Sequence, residues 1–242
     1  RFFDNGFTGL FIETSGSILS MILASILIDI AAHVLKCLVK NKKLLDSVIN
    51  FYEWSGLLRM WLSSYLELMF ATLLQLFVFY VESIFYAFSS CCAVLVLLAN
   101  LGLPIWSFWI LKNTQKTRKN IGKYQALTED YDLNHPVKKY FIVFVILRRL
   151  LQGALIVLLY YIPLLQVTMV WLVIFVQLIL LLVFMPHHKQ KMNFLDIIVE
   201  MAFVIIHSLI IPIGYNDYTS FLSVETKEII GWVIIGWCLF VI

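Results

Sequence analysis

Charge is what this chain has least of. Lysine, arginine, aspartate and glutamate together supply 14% of its 242 residues, against 62% that are hydrophobic. A water-soluble domain carries roughly a quarter of its residues as charges to cover its surface, so this composition excludes an ordinary soluble fold. A bilayer imposes no such requirement, because lipid solvates apolar side chains. The mean hydropathy of +0.91 points the same way. Cysteine is also scarce. Cys37, Cys91, Cys92 and Cys238 all fall inside apolar segments, which excludes a disulfide framework or a CxxC metal site and suggests small buried thiols. Enzyme signatures are missing as well: there is no nucleophile elbow, HExxH, P-loop or dinucleotide fingerprint. The expectation is a protein that is not an enzyme and takes no cofactor, metal or nucleic acid. His187 and His188 in Met-Pro-His-His-Lys read as an exposed loop surface.

What is abundant is long apolar stretches. A helix that crosses the hydrocarbon core needs roughly 20 mostly apolar residues. On that scale the sequence predicts an all-α, polytopic membrane helix bundle with about seven transmembrane helices, at 14–39, 57–81, 84–111, 140–162, 163–185, 194–213 and 228–242. The run 60–111 is nearly continuous and is expected to turn at Glu82-Ser83, its only charged point late enough; the run 140–185 breaks at Pro163, whose ring and missing N–H favour a helix start. The stretch 44–58 mixes apolar and polar residues and suits the membrane interface. Gly16, Ser20 and Ala24 place small residues four apart, a pattern suited to close helix contact. The whole chain, 1–242, reads as a single bundle. It begins at Arg1 and stops within an apolar run, so it is expected to be a fragment of a longer polypeptide.

The basic residues set the orientation. Lys36, Lys40, Lys42, Lys43 and Arg59 flank the first connection, Lys112 to Lys139 crowd the next long one, and Lys189 and Lys191 sit in a third. With seven crossings these fall on one side, with Arg148 and Arg149 nearest it, leaving only Arg1 and Lys227 of 18 Lys and Arg for the other. The positive-inside rule makes the basic face cytoplasmic and the N-terminus outside. Trp54, Trp61, Trp106 and Trp109 at one boundary, with Tyr80, Tyr86, Tyr160, Tyr161, Tyr215 and Tyr218 at the other, suit interfacial anchors.

Ionisable residues inside the spans are the informative positions, since each costs about 2.5–3.5 kcal/mol at a helix centre. They are Asp29, His33, Glu67, Arg148, Arg149, Asp196, Glu200 and His207. Glu67 lies eight residues past Arg59, Arg148 nine past Lys139 and Glu200 nine past Lys191, so each sits roughly 12–14 Å inside the basic boundary. Opposite charges at one depth predict an interhelical network in which Glu67 and Glu200 neutralise Arg148 and Arg149. Adjacent arginines do not make the every-third-residue array of a voltage sensor.

Three stretches carry a family resemblance. They are Phe51-Tyr52-Glu53-Trp54 leading to Ser64-Tyr65-Leu66-Glu67-Leu68; Arg148-Arg149-Leu150 with Pro163-Leu164-Leu165-Gln166; and Pro186 followed by Asn193 and Glu200. Together they resemble the C-terminal membrane region of fungal and protist TRP-like (transient receptor potential-like) proteins. The resemblance implies a cation channel whose pore lies between 194–213 and 228–242, with Asp217 and Glu225 at the outer mouth. It also implies a missing extracellular region ahead of the helices. Tyr215-Asn216-Asp217-Tyr218 in the short connection 214–227 is not a recognisable selectivity filter. A non-conducting anchor or accessory subunit of a larger assembly therefore stands as the alternative. Either reading implies contact with membrane lipids, and with other membrane subunits or copies of the chain. Either also places it in the plasma membrane or a specialised region such as the ciliary membrane.

The charge asymmetry predicts that 40–56, 112–139 and 186–193 face the cytoplasm and 214–227 faces outside. In a cysteine-free background on intact cells, an impermeant thiol reagent is expected to label Thr219→Cys and spare Lys119→Cys. Labelling of Lys119→Cys alone overturns the orientation.

Overall fold

The computed structural model describes residues 11–38, 54–77, 84–113, 124–128, 131–133, 135–219 and 222–241. The expected turn at Glu82-Ser83, most of the interfacial stretch 44–58 and the basic run 114–123 lie outside the described residues. The chain divides into two compact units, Arg1–Glu129 and Asp130–Ile242, where the sequence suggested one bundle. The first holds α1 (Phe11–Leu38), α2 (Trp54–Ser63), α3 (Tyr65–Phe77), α4 (Ile84–Asn113) and the single turn α5 (Gln125–Thr128). The second opens with a 3-10 turn, Lys138–Tyr140, and continues through α6 (Phe141–Leu158), α7 (Pro163–Phe184), α8 (Gln190–Thr219) and α9 (Val224–Val241). Among the described residues there is no strand, only an isolated bridge pairing Tyr131 with His187.

Among the described residues five helices, α1, α4, α6, α7 and α8, are long and apolar enough to cross a membrane, or six if the bent pair α2–α3 is one span. The chain is a multi-pass, all-helical membrane protein. The seventh expected span falls in α9, an 18-residue helix that begins with Glu225, Lys227 and Glu228 close together and is not among the qualifying helices. Large apolar side chains point outward all along the qualifying helices, among them Leu27 and Val34 on α1, Leu95 and Ile105 on α4, and Val176 and Val183 on α7. Water would make such surfaces costly; lipid does not.

In the first unit, Phe11, Leu68, Ala71, Ala93 and Val96 form the core, with Ile18, Ile22 and Trp61 packed against them. Phe11, Ser15, Ile18, Ile22 and Ser25 recur at three- to four-residue steps, so one face of α1 turns inward. The small-residue stripe lies elsewhere. Ser20 and Ala24 are exposed, and a Cβ added at Gly16 would meet nothing within 4 Å, so that stripe makes no close helix approach among the described residues. Cys91 is exposed as well, not buried, because its neighbours Ser90 and Ala93 occupy the inward face of α4.

The expected helix 57–81 starts earlier, at Trp54, and bends by 59° between α2 and α3. Backbone bonding carries through the bend: Ser64 N–H donates to Met60 O at 3.1 Å and Leu68 N–H to Ser64 O at 2.9 Å, with Ser63 Oγ also donating to Met60 O at 2.8 Å. Glu67 lies in the first turn of α3, where it is exposed.

Polar side chains tie this unit together at backbone groups that the helices cannot satisfy themselves. The start of α1 leaves free N–H groups. Phe11 N–H donates to Gln75 Oε1 at 2.8 Å, and Ser89 Oγ donates to the same oxygen at 3.0 Å. Gln75 Nε2 in turn donates to Ser90 Oγ at 3.2 Å. Pro104 inside α4 has no N–H to offer Asn100 O, four residues earlier. Tyr65 supplies the missing donor, its hydroxyl lying 2.7 Å from that carbonyl, while Trp61 Nε1–H donates to Asn100 Oδ1 at 2.9 Å.

Gln75 is buried, and Gln75→Leu keeps its bulk while leaving the Phe11 N–H and two serine hydroxyls without this partner. The substitution is expected to cost about 1–2 kcal/mol, read as a lower unfolding midpoint of the purified protein in detergent, with Gln75→Glu milder.

Candidate functional site

The second unit brings its charged residues together. α6 and α8 both start at the basic boundary and run the same way through the chain's path, with α7 returning between them. Arg148 and Glu200, each nine residues beyond a boundary lysine, therefore reach one level. The Arg148 guanidinium Nη1 forms an ion pair with Glu200 Oε1, and the two side chains are 15% and 10% exposed. Arg149, half-buried beside it, is within electrostatic reach of Arg148, Tyr131 and Glu200. Arg148 Nε and Glu200 Oε2 are buried without a hydrogen-bond partner among the described residues.

One turn nearer the boundary on α8, Asp196 Oδ2 accepts from His187 Nε2–H at 2.6 Å. His187 is thus not the exposed loop residue that its neighbours in sequence suggest; it is buried. Further contacts hold it. The Tyr131 ring stacks on its imidazole at 5.0 Å between centroids. Its backbone N–H donates to Asn193 Oδ1 at 2.9 Å, and its carbonyl accepts from Asn193 Nδ2 at 3.0 Å. Asp132 N–H adds a bond to Pro186 O at 3.1 Å. This knot seals the sharp turn between α7 and α8. Met185 enters it with φ 41°, the left-handed cap that ends α7 before Pro186.

His207, at the third polar position of α8, donates from Nδ1 to Phe203 O in its own helix at 2.9 Å. Nearby, Trp171 Nε1–H donates to Ser208 Oγ at 2.8 Å. Toward the other boundary, Gln166 Nε2 donates to Ile156 O near the end of α6, and Asn216 Oδ1 accepts from Leu222 N–H ahead of α9. The expected outer loop 214–227 is therefore mostly helix. α8 runs through Asp217 to Thr219, α9 begins at Val224, and Glu225 is exposed in its first turn.

Of the remaining candidates, His33 is exposed on α1 and Glu67 on α3, both in the first unit. The side chains of Asp29 and Asp217 lie outside the described residues, although both backbones are helical. Among the described residues no group of three His, Cys, Asp or Glu is placed to hold a metal ion. Formal charge does not single out Gln75 or Asn100, and Gln166 and Asn193 stand out in the sequence only within the stretches that carry the resemblance. An amide in an apolar helix next to a proline or a helix end was the available signal, since a freed backbone group there needs a partner.

Removing one member of a buried ion pair leaves an uncompensated charge. Glu200→Gln is expected to cost about 3–5 kcal/mol, whereas Arg148→Met with Glu200→Leu is expected to be nearly neutral. Denaturant unfolding of the purified variants in detergent checks both.

No family model, no curated protein and no solved structure matches this chain.

Proposed function

We propose that the chain is a TRP-like, channel-derived transmembrane module that acts as an anchor or accessory subunit, tying a larger extracellular or membrane assembly to the bilayer. One observation carries this reading: Asp196, Glu200 and His207, the three ionisable residues that the sequence places inside the span, are all engaged within their own unit. Asp196 holds His187, Glu200 holds Arg148, and His207 bonds its own helix. A conduction path requires such groups to face ions or water; here they serve assembly. The basic connections then face the cytoplasm, with the plasma membrane or its ciliary region as the setting. The chemistry is neither enzymatic nor cofactor-dependent.

Cation conduction is the second reading, and the surface of α9 favours it. Val224, Ile229, Trp232, Val233 and Ile235 are all exposed, an apolar face suited to a neighbouring copy in a ring. In that arrangement α8 and α9 line the path, with Asp217 and Glu225 near its outer mouth.

Liposomes holding verified, folded protein and a cation-sensitive dye decide between the two. The anchor reading expects influx no greater than in protein-free liposomes, with Glu200→Gln lowering stability alone. Influx that Asp217→Asn reduces several-fold overturns it in favour of conduction.

A further inference from the structure

Two sets of hydrogen bonds fix the register of α3 against α4, which run in opposite directions. Gln75 is level with Ser89 and Ser90, to which its amide bonds at 3.0 and 3.2 Å. The Tyr65 hydroxyl, from ten residues earlier on α3, meets Asn100 O further along α4. Glu67 lies eight residues before Gln75 and is therefore level with Leu97 and Leu98, eight residues past the two serines. Leu98 in turn is 14 residues past Ile84 and 15 before Asn113, roughly 21–23 Å from the two ends of α4. The 30 residues of α4 span about 45 Å. A hydrocarbon core of about 30 Å contains the level of Glu67 wherever it falls along such a helix.

At that level Glu67 is exposed and forms no hydrogen bond or ion pair among the described residues. Glu67, Phe70, Leu73 and Phe77 follow one another at three- to four-residue steps and none is buried, while Leu68, Ala71, Thr72 and Gln75 turn into the unit. α3 thus presents an apolar outward face with one carboxylate set in it. At the same depth α4 exposes Leu95, Leu98 and Leu101, so the surroundings are hydrocarbon. An ionisable side chain within a span is costly there and almost always faces the bundle interior or has a partner. In the second unit that chemistry is complete, with Glu200 holding Arg148.

The first unit does not supply the matching cation at this depth. The basic residues of α1 and α4 are Lys36 and Lys112, each within two residues of its helix end, and Arg59 of α2 lies eight residues before Glu67. Two copies joined through this face would set Glu67 against Glu67. We propose that the outward face of α3 docks a transmembrane helix of a different membrane protein, one that carries a lysine or arginine near its mid-span. Glu67 selects that helix, and Phe70, Leu73 and Phe77 give it a packing surface. The inference stands on the depth and exposure of one carboxylate, and it holds whether or not the chain conducts.

The test reconstitutes the full chain, labelled with a donor fluorophore, in phosphatidylcholine liposomes. It is offered acceptor-labelled, leucine-rich helices of about 20 residues that differ only in a central lysine or leucine, and energy transfer reads binding. The lysine helix is expected to bind about tenfold more tightly, the worth of one interhelical polar contact. Glu67→Gln is expected to remove that preference with helicity intact by circular dichroism, and Glu67→Asp to keep most of it. Glu67→Lys is expected to reverse it, favouring a helix with a central glutamate. Equal binding of the lysine and leucine helices to the unaltered chain overturns the proposal. So does a lysine preference that survives Glu67→Gln, or a dimer of the chain that Glu67→Gln dissociates. Loss of the fold in Glu67→Gln overturns it too, since that would make the carboxylate an internal strut.

Discussion

A backbone group that loses its helical partner inside a bilayer finds no water to replace it, and this constraint organises both units. Pro104 frees the carbonyl of Asn100, and Tyr65 fills the gap. The opening turn of α1 has N–H groups to spare, and Gln75 accepts from the first described one. At the close of α6, Gln166 reaches back across the turn to Ile156 O. Between α7 and α8, Asn193 serves the N–H and C=O of His187 together. The first two repairs join elements distant along the chain and the last two close the connections between successive helices, so satisfying the backbone and docking the helices are one event. Lipid tails give apolar faces little reason to prefer one another over solvent, which leaves such directional contacts to set which helix sits where.

The paired charges follow the same logic at a higher energy. An arginine and a glutamate at one depth on separate helices are each costly alone and tolerable together. Their partnership fixes the register of α6 against α8, because sliding either helix by one turn, about 5.4 Å, would strand both. His187 and Asp196 set the neighbouring turn in the same way, with Tyr131 stacked over the imidazole.

The helical class, the membrane setting and the helix start at Pro163 were legible because composition and hydrophobic length report them directly. The level shared by Arg148 and Glu200 was legible too, since helical rise converts residue counts into depth. What escaped depends on local chemistry that hydropathy does not register. The bend between α2 and α3 falls at Ser64, and serine scarcely interrupts an apolar run. Burial of His187 needs a carboxylate nine residues on and an aromatic ring more than fifty residues earlier, which its immediate neighbours do not announce. α8 overran its expected end because Tyr215-Asn216-Asp217-Tyr218 looks like a loop, whereas Asn216 faces inward and binds Leu222 N–H.

The thirty residues of α8 have a consequence for the bilayer itself. At 1.5 Å per residue such a helix spans about 45 Å, well beyond a hydrocarbon core of about 30 Å. Lys189 and Lys191 at its start are exposed and hold that end among the headgroups. The surplus must be absorbed by tilt, by protrusion at the far end or by flexing at Pro212, which lies inside the helix. A thicker membrane would stand the helix up and a thinner one would lay it over. The thickness of the surrounding lipid thereby becomes a mechanical input to the α8–α9 end of the molecule.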